Sequence, residues 1–194
     1  MSDHLRLFVA IRVPDAIKDS LQKVQTELQG VVPEGSVRWT LRDQIHLTLR
    51  FFGNATNEDL DELKKVMQNA CEGIAVFRLQ AYGLGVFPEK RFPRVIWAAV
   101  RDDQNQLGAS QQKICAATAQ FGEKPDDRPF SGHLTLGRVK EIRSHDAEAL
   151  RRFVAGEATR PYGEWPVDEV ELLRSELGSA GAKHSVIATY SLRH

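Results

Sequence analysis

Apolar and polar positions along this chain change period repeatedly, and each change marks an element. Leu5 to Ile11 is a continuous apolar run of buried-strand length, ended by Pro14. From Asp15 onward Ile17, Leu21, Val24 and Leu28 recur on one helical stripe, and Gly30 closes it. Val37 to Thr40 reads as a short strand before the polar turn Arg42-Asp43-Gln44. Ile45 to Phe52 predicts a further strand, which Gly53-Asn54 is expected to break. Thr56, with Asp59 three residues on, has the form of a capping box and opens a second helix that turns Leu60, Leu63, Met67 and Ala70 inward. Ile74 to Val86 predicts a strand interrupted by Gly83 and Gly85, and a loop with Pro88, Lys90, Arg91, Pro93 and Arg94 follows.

The later part repeats the order. A buried-strand candidate, Val95 to Val100, precedes a helix over roughly Asp103 to Phe121, with Leu107, Ile114 and Phe121 aligned. A charged loop ends at Pro129, a strand runs from Phe130 to Val139, and a helix from about His145 to Ala155. Two late strands, Val167 to Leu177 and Ser185 to Leu192, flank the loop Gly178-Ser179-Ala180-Gly181. Both halves thus run strand, helix, strand, helix, further strand, the pattern of an old internal duplication. The expected fold is α+β, a single pseudo-symmetric bilobal domain over 1–194 with a motif strand from each lobe facing a shared groove.

The two motif strands carry the same tetrapeptide, His46-Leu47-Thr48-Leu49 and His133-Leu134-Thr135-Leu136. Alternation puts His and Thr of each copy on one face and both leucines on the other. The leucines can enter a core while imidazole and hydroxyl stand side by side outside it. An imidazole titrates near 6.5, so one neutral His can take a proton from water while a protonated one donates to a leaving oxygen. Two threonine hydroxyls suit an oxygen that gains charge between them.

Rival chemistries fit less well. Zinc would require a second His or a carboxylate where each motif has Thr, and neither HxH nor HExxH occurs. No GxSxG is present for a serine nucleophile. Cys71 and Cys115 lie in helix-like segments without metal spacing and read as core or half-buried thiols. His4 and His194 are terminal, and His145 opens a solvated helix. His184, after the glycine-rich loop, can approach the groove.

Strict alternation extends the His46 face to Arg50 and Phe52, whereas Arg138 has the wrong parity and reaches the groove only through a bulge at Gly137. An arginine there would clamp phosphate through paired donors. Phe52 and Phe130 are candidates for stacking on a base, as are Phe87, Phe92 and Trp39.

Composition sets limits. Of 194 residues, 42% are hydrophobic and 27% charged, as in an ordinary soluble globule. No apolar run approaches the roughly 20 residues that span a bilayer, and no signal-peptide pattern follows Met1, so the cytoplasm is the expected compartment. Twenty-six basic and 26 acidic side chains cancel, which disfavours sequence-blind binding along a nucleic-acid backbone but not capture of one terminal phosphate. A monomer is expected.

The twin motifs, together with Leu7-Phe8-Val9-Ala10-Ile11, the stretch His46 to Gly53, Pro93 to Ala98 and Arg138, resemble the two-histidine (2H) phosphoesterases. Within these the chain is most similar to the bacterial RNA 2′,3′-cyclic phosphodiesterases, or 2′-5′ RNA ligases of the LigT/ThpR type. The resemblance implies two antiparallel sheets flanking a central cleft with helices outside. It also implies hydrolysis of an RNA 2′,3′-cyclic phosphate end to a 2′-phosphate without metal or cofactor. By it His46 is the proton donor and His133 the proton acceptor, while Thr48, Thr135 and Arg138 hold the phosphate. Spacing alone leaves the two histidine roles interchangeable. The partners implied are RNA ends or small nucleotides with a 2′,3′-cyclic phosphate, with weak reversible 2′-5′ ligation as the same chemistry reversed. Alternatives are a phosphodiesterase for 2′-5′ oligonucleotides or ADP-ribose cyclic phosphate, and a nucleotide- or RNA-binding module without catalysis. Two positions depart from the family pattern: Gly132 where Pro is expected, and His184 where Tyr is common.

Overall fold

A computed structural model of the chain describes residues 4–89, 92–124, 129–178 and 181–193. Lys90, Arg91, Ser179, Ala180, His194 and the end of the charged loop before Pro129 lie outside the described residues. The strands are β1 (His4–Arg12), β2 (Val37–Trp39), β3 (His46–Thr56), β4 (Phe77–Phe87), β5 (Val95–Arg101), β6 (His133–Val139), β7 (Pro161–Val167), β8 (Glu169–Gly178) and β9 (Gly181–Ser191). The helices are α1 (Asp15–Gln29), α2 (Leu60–Glu72), α3 (Gln106–Ala117) and α4 (Ser144–Gly156).

Every paired strand of the sheet is antiparallel, in the order β7-β4-β5-β6-β3-β1-β8-β9, with β2 on β6. The middle is pinched. β3 and β6 share one residue pair, Leu47 opposite Leu134, so the sheet is a five-stranded and a four-stranded half hinged at the two motifs. The apolar stripe of α1, Ile17, Leu21, Val24 and Leu28, is buried in the main core together with Leu47, Leu49, Leu134 and Leu136 of the motif strands. Burying each such side chain contributes about 1.5–3 kcal/mol.

The lobes are not the two halves of the sequence. β1 pairs with β3 on one side and β8 on the other, and β8 with β9, so the first strands join the last ones, while β4 crosses over to pair with β5 and β7. Helices cross likewise: α1 packs on β7 and α4 on β4, whereas α2 and α3 pack on β9 and β3. The lobes therefore interlock, and one core cluster runs through both.

Three local expectations are corrected. Gly53 does not end β3. It adopts φ 62°, opposite Leu7, and forms a bulge through which the strand continues to Thr56. β6 begins at His133 and not at Phe130. β7 was not anticipated, because Pro161 and Pro166 mask its pattern. Both prolines are exposed on an edge strand, where a missing N–H is tolerated. The expected Thr56–Asp59 contact does form, with hydroxyl to carboxylate 2.5 Å and the Asp59 N–H donating back to Oγ1 at 3.2 Å.

Candidate active site

Flanking the Leu47–Leu134 pair, antiparallel register sets Thr48 toward His133 and His46 toward Thr135. All four are partly buried, while the leucines between them are buried in the core on the other face. The twin motifs thus make a four-cornered cluster about one local two-fold axis, the histidines on a diagonal. In a regular ladder such diagonal neighbours lie roughly 7–8 Å apart.

Each imidazole is held the same way. His46 Nδ1 lies 2.7 Å from the Gln44 carbonyl oxygen, and His133 Nδ1 lies 2.8 Å from that of Ser131. A carbonyl only accepts, so Nδ1 carries the hydrogen in both and Nε2 is left for chemistry. Around them the lobes differ. The His46 ring lies 4.9 Å from Phe8 and 5.2 Å, edge-on, from His184, so His184 packs beside His46. The His133 ring meets Phe87 at 5.4 Å and Trp97 at 6.3 Å. Trp97 lies against Gly85, where a Cβ would stand 2.0 Å from its ring, which is why β4 has glycine there. Burial pushes the His46 imidazole down to about 4, against the opposing effect of the Gln44 carbonyl, and His184 and Lys18 add to the depression. Burial lowers His184 too.

Both motif strands break alternation at the same place. In β3, Thr48 pairs with Ala10 and Arg50 with Val9, so Leu49 is an extra residue. In β6, Thr135 pairs with Trp97 and Gly137 with Ile96, so Leu136 is extra. Each bulge restores the fifth residue after the histidine to the imidazole face. On β6 that residue is Arg138, which therefore lies on the face that carries His133 and Thr135. It stands in register with Arg38 of β2, both exposed and neither ion-paired among the described residues. Like charges opposite one another are unfavourable unless an anion joins them.

On β3 the fifth residue is Phe51. Phe52, expected on the groove face, is fully buried in the core, and its ring lies beneath the Arg50 guanidinium at 4.7 Å. Arg50 also turns inward. It donates to the carbonyls of Cys115, Phe121 and Glu123 and to the Thr118 hydroxyl, capping the end of α3. Phe130 packs partly against the main core beside the start of β6. Strict alternation puts Phe52 on this face, whereas the bulge puts Phe51 there. The +5 spacing shared with Arg138 was the signal available.

The bulges are themselves supported. Gln25 Nε2, from α1, donates to the carbonyls of Leu136 (2.8 Å) and Thr40 (2.9 Å). Gln111 Nε2, from α3, reaches the Leu49 carbonyl at 3.4 Å. Among the described residues no group of three or more His, Cys, Asp or Glu is placed to hold a metal ion, and no helix is long and apolar enough to cross a membrane.

The family model of the 2′-5′ RNA ligase superfamily matches residues 7–179. This chain is a member of that superfamily. A member from Methanothermobacter thermautotrophicus, named RNA 2′,3′-cyclic phosphodiesterase, is 28% identical over 188 residues, covering 97% of this chain and 99% of that one. Another of that name, from Thermus thermophilus, is 29% identical over 195 residues, 97% and 91% of the two chains. Among solved structures, TT0787 of Thermus thermophilus superposes with a TM-score of 0.79 at 26% identity, covering 97% of this chain and 98% of that one. Escherichia coli LigT complexed with 3′-AMP shares the fold, with a TM-score of 0.77 at 22% identity over 98% and 99% of the chains. The α+β architecture expected for two-histidine phosphoesterases is the one found.

Proposed function

We propose that this protein is an RNA 2′,3′-cyclic phosphodiesterase that opens the cyclic diester to a 2′-phosphate by paired histidine acid–base catalysis. The observation that carries the reading is the matched clamping of both imidazoles, each with Nδ1–H spent on a carbonyl and Nε2 free, beside threonine hydroxyls on one face. Superfamily membership and relatives bearing that name support the substrate class.

In the reaction, His133 Nε2 takes a proton from water as its oxygen bonds to phosphorus. The bond from phosphorus to the 3′ oxygen breaks, and that oxygen takes a proton from His46 Nε2. Thr48, Thr135 and Arg138 hold the non-bridging oxygens, with Arg38 beside them. Burial keeps His46 neutral in the empty site, and the negative charge of a bound phosphodiester favours its protonated form. The donor is thus charged by the substrate it serves. A 5′-hydroxyl in place of water, with the steps reversed, is 2′-5′ ligation.

The test is hydrolysis of 2′,3′-cyclic AMP with product identification by chromatography. Formation of 2′-AMP, undiminished by excess chelator, is expected. His46→Ala and His133→Ala should each lower turnover by roughly 10²–10⁴-fold with little change in melting temperature. Formation of 3′-AMP, loss of activity with chelator, or full activity in either variant overturns the proposal.

A further inference from the structure

β9 is no neighbour of β3, yet it reaches the first motif. It lies three places away in the order β3-β1-β8-β9, about 14 Å across a flat sheet. Even so, the His184 ring of β9 stands 5.2 Å from that of His46 and 4.9 Å from that of Phe8. The β8–β9 ribbon closes the gap by bending. Ile187 is an extra residue in β9, since Ala188 pairs with Leu172 and Val186 with Leu173, and a bulge of this kind bends its strand. Pairing of β8 with β1 ends at Arg174 opposite Leu7. Among the described residues, the ribbon from Ser175 and His184 to Gly178 and Gly181 therefore pairs only with itself. A two-stranded ribbon alone is marginally stable, so this one is fixed by what it rests on. It rests on the His46 half of the site: His184 packs on Phe8 and His46, and the Ala182 carbonyl accepts from Gln44 Nε2.

Gln44 is also the residue whose own carbonyl clamps His46 Nδ1. It ends the single 3₁₀ turn Arg42–Gln44, and Arg42 at the other end holds Asp19 at 2.6 Å and Asp15 at 3.2 Å on α1. The clamp on His46 is thus suspended between α1 and the β8–β9 hairpin. His133 is built otherwise: the rings beside it, Phe87 and Trp97, come from β4 and β5 of its own half of the sheet. We infer that Gln44 is a positioning residue for His46, tying it to the β8–β9 hairpin, with His184 as the second point of support. The inference rests on the reaction proposed above for its effect on turnover, while the hold on the ring stands on geometry alone. Proton transfer at His46 Nε2 requires that Nδ1 keep its hydrogen and that the ring keep its aim. The Gln44 carbonyl secures both, and the Gln44 side chain secures the carbonyl.

The experiment takes two readouts on wild type, Gln44→Ala, His184→Ala and His184→Phe. One is turnover of 2′,3′-cyclic AMP. The other is long-range proton–nitrogen NMR of the histidine rings at about pH 8, where imidazoles are neutral and the spectrum shows which nitrogen carries hydrogen. Wild type should show hydrogen on Nδ1 of both His46 and His133. In Gln44→Ala the His46 ring should become a mixture of tautomers while His133 is unmoved in the same spectrum. Turnover should fall on the order of 10- to 100-fold in kcat, with KM little changed. His184→Ala should act in the same direction, and His184→Phe, which keeps a ring against Phe8, should recover most of that loss. Gln44→Glu, equal in length but without a donor for Ala182, repeats the test should Gln44→Ala lose its fold. Hydrogen on Nε2 of His46 in wild type, or either readout standing still in the Gln44 variants, overturns the inference. An inactive wild type overturns the reaction proposed above, and the spectra alone then decide the hold on His46.

Discussion

Two arginine-bearing positions show how little residue type alone decides. Arg50 and Arg138 both follow a motif, one position apart in the repeat, yet only Arg138 reaches the open face. Arg50 enters the interior and meets the end of α3 with four acceptors. Burial lowers its pKa, but its guanidinium fork still matches carbonyls that the helix leaves unpaired. Replacing it with leucine strands those acceptors, at about 1–3 kcal/mol for each one left buried without a donor. Arg50→Leu should therefore lower unfolding free energy by at least about 3 kcal/mol in urea titration. Arg50→Lys, which keeps the charge but not the fork, should recover only part of it. A midpoint for Arg50→Leu equal to wild type would show the guanidinium to be dispensable.

At the scale of elements, the paired bulges aim the site. A regular β6 would leave Arg138 facing the helices, and a regular β3 would exchange Phe51 for Phe52. Each extra residue interrupts the ladder, and its carbonyl accepts from a glutamine of the helix that packs beneath, the Leu136 oxygen accepting from the Thr40 N–H as well. Gln25 is the stronger of the two, being buried with two short bonds. Gln25→Leu should destabilise the fold by about 1–3 kcal/mol and lower kcat/KM on a cyclic nucleotide, because the backbone before Arg138 keeps only the Thr40 N–H as anchor and the Thr40 carbonyl loses its side-chain donor. Lower stability with unchanged kcat/KM would mean that the bulge holds its shape without Gln25.

For the molecule as a whole, the interlocked lobes place a titratable group at their hinge, and stability should register it. Folding lowers the His46 pKa from about 6.5 to about 4. Between these values the unfolded chain binds more protons than the folded one, so unfolding free energy rises with pH through this window and is lost as pH falls from about 6.5 toward 4. The full shift corresponds to about 3 kcal/mol. His184 titrates in the same sense. Melting temperatures measured from pH 7 down to 4 should fall, and His46→Asn should flatten the slope. A variant that melts in parallel with wild type at every pH would remove His46 as the source.

Much of this was legible in residues alone. The apolar stripe of α1 and its stop at Gly30, the buried run of β1, the strand β5 (whose burial alternates) and the twin tetrapeptides depend on local period and local chemistry, which tertiary packing did not override. What periodicity could not reveal was any departure from it. The bulges that turn Arg138 and Phe51 outward, the edge strand β7 behind its prolines, and the exchange of strands between lobes all depend on which strand lies alongside. The sequence by itself determined most of the elements and the twin-motif side chains, since those follow from near neighbours. Only the tertiary structure decided which face each residue meets past the fourth motif position, because an extra residue in one strand is defined by the partner that skips it.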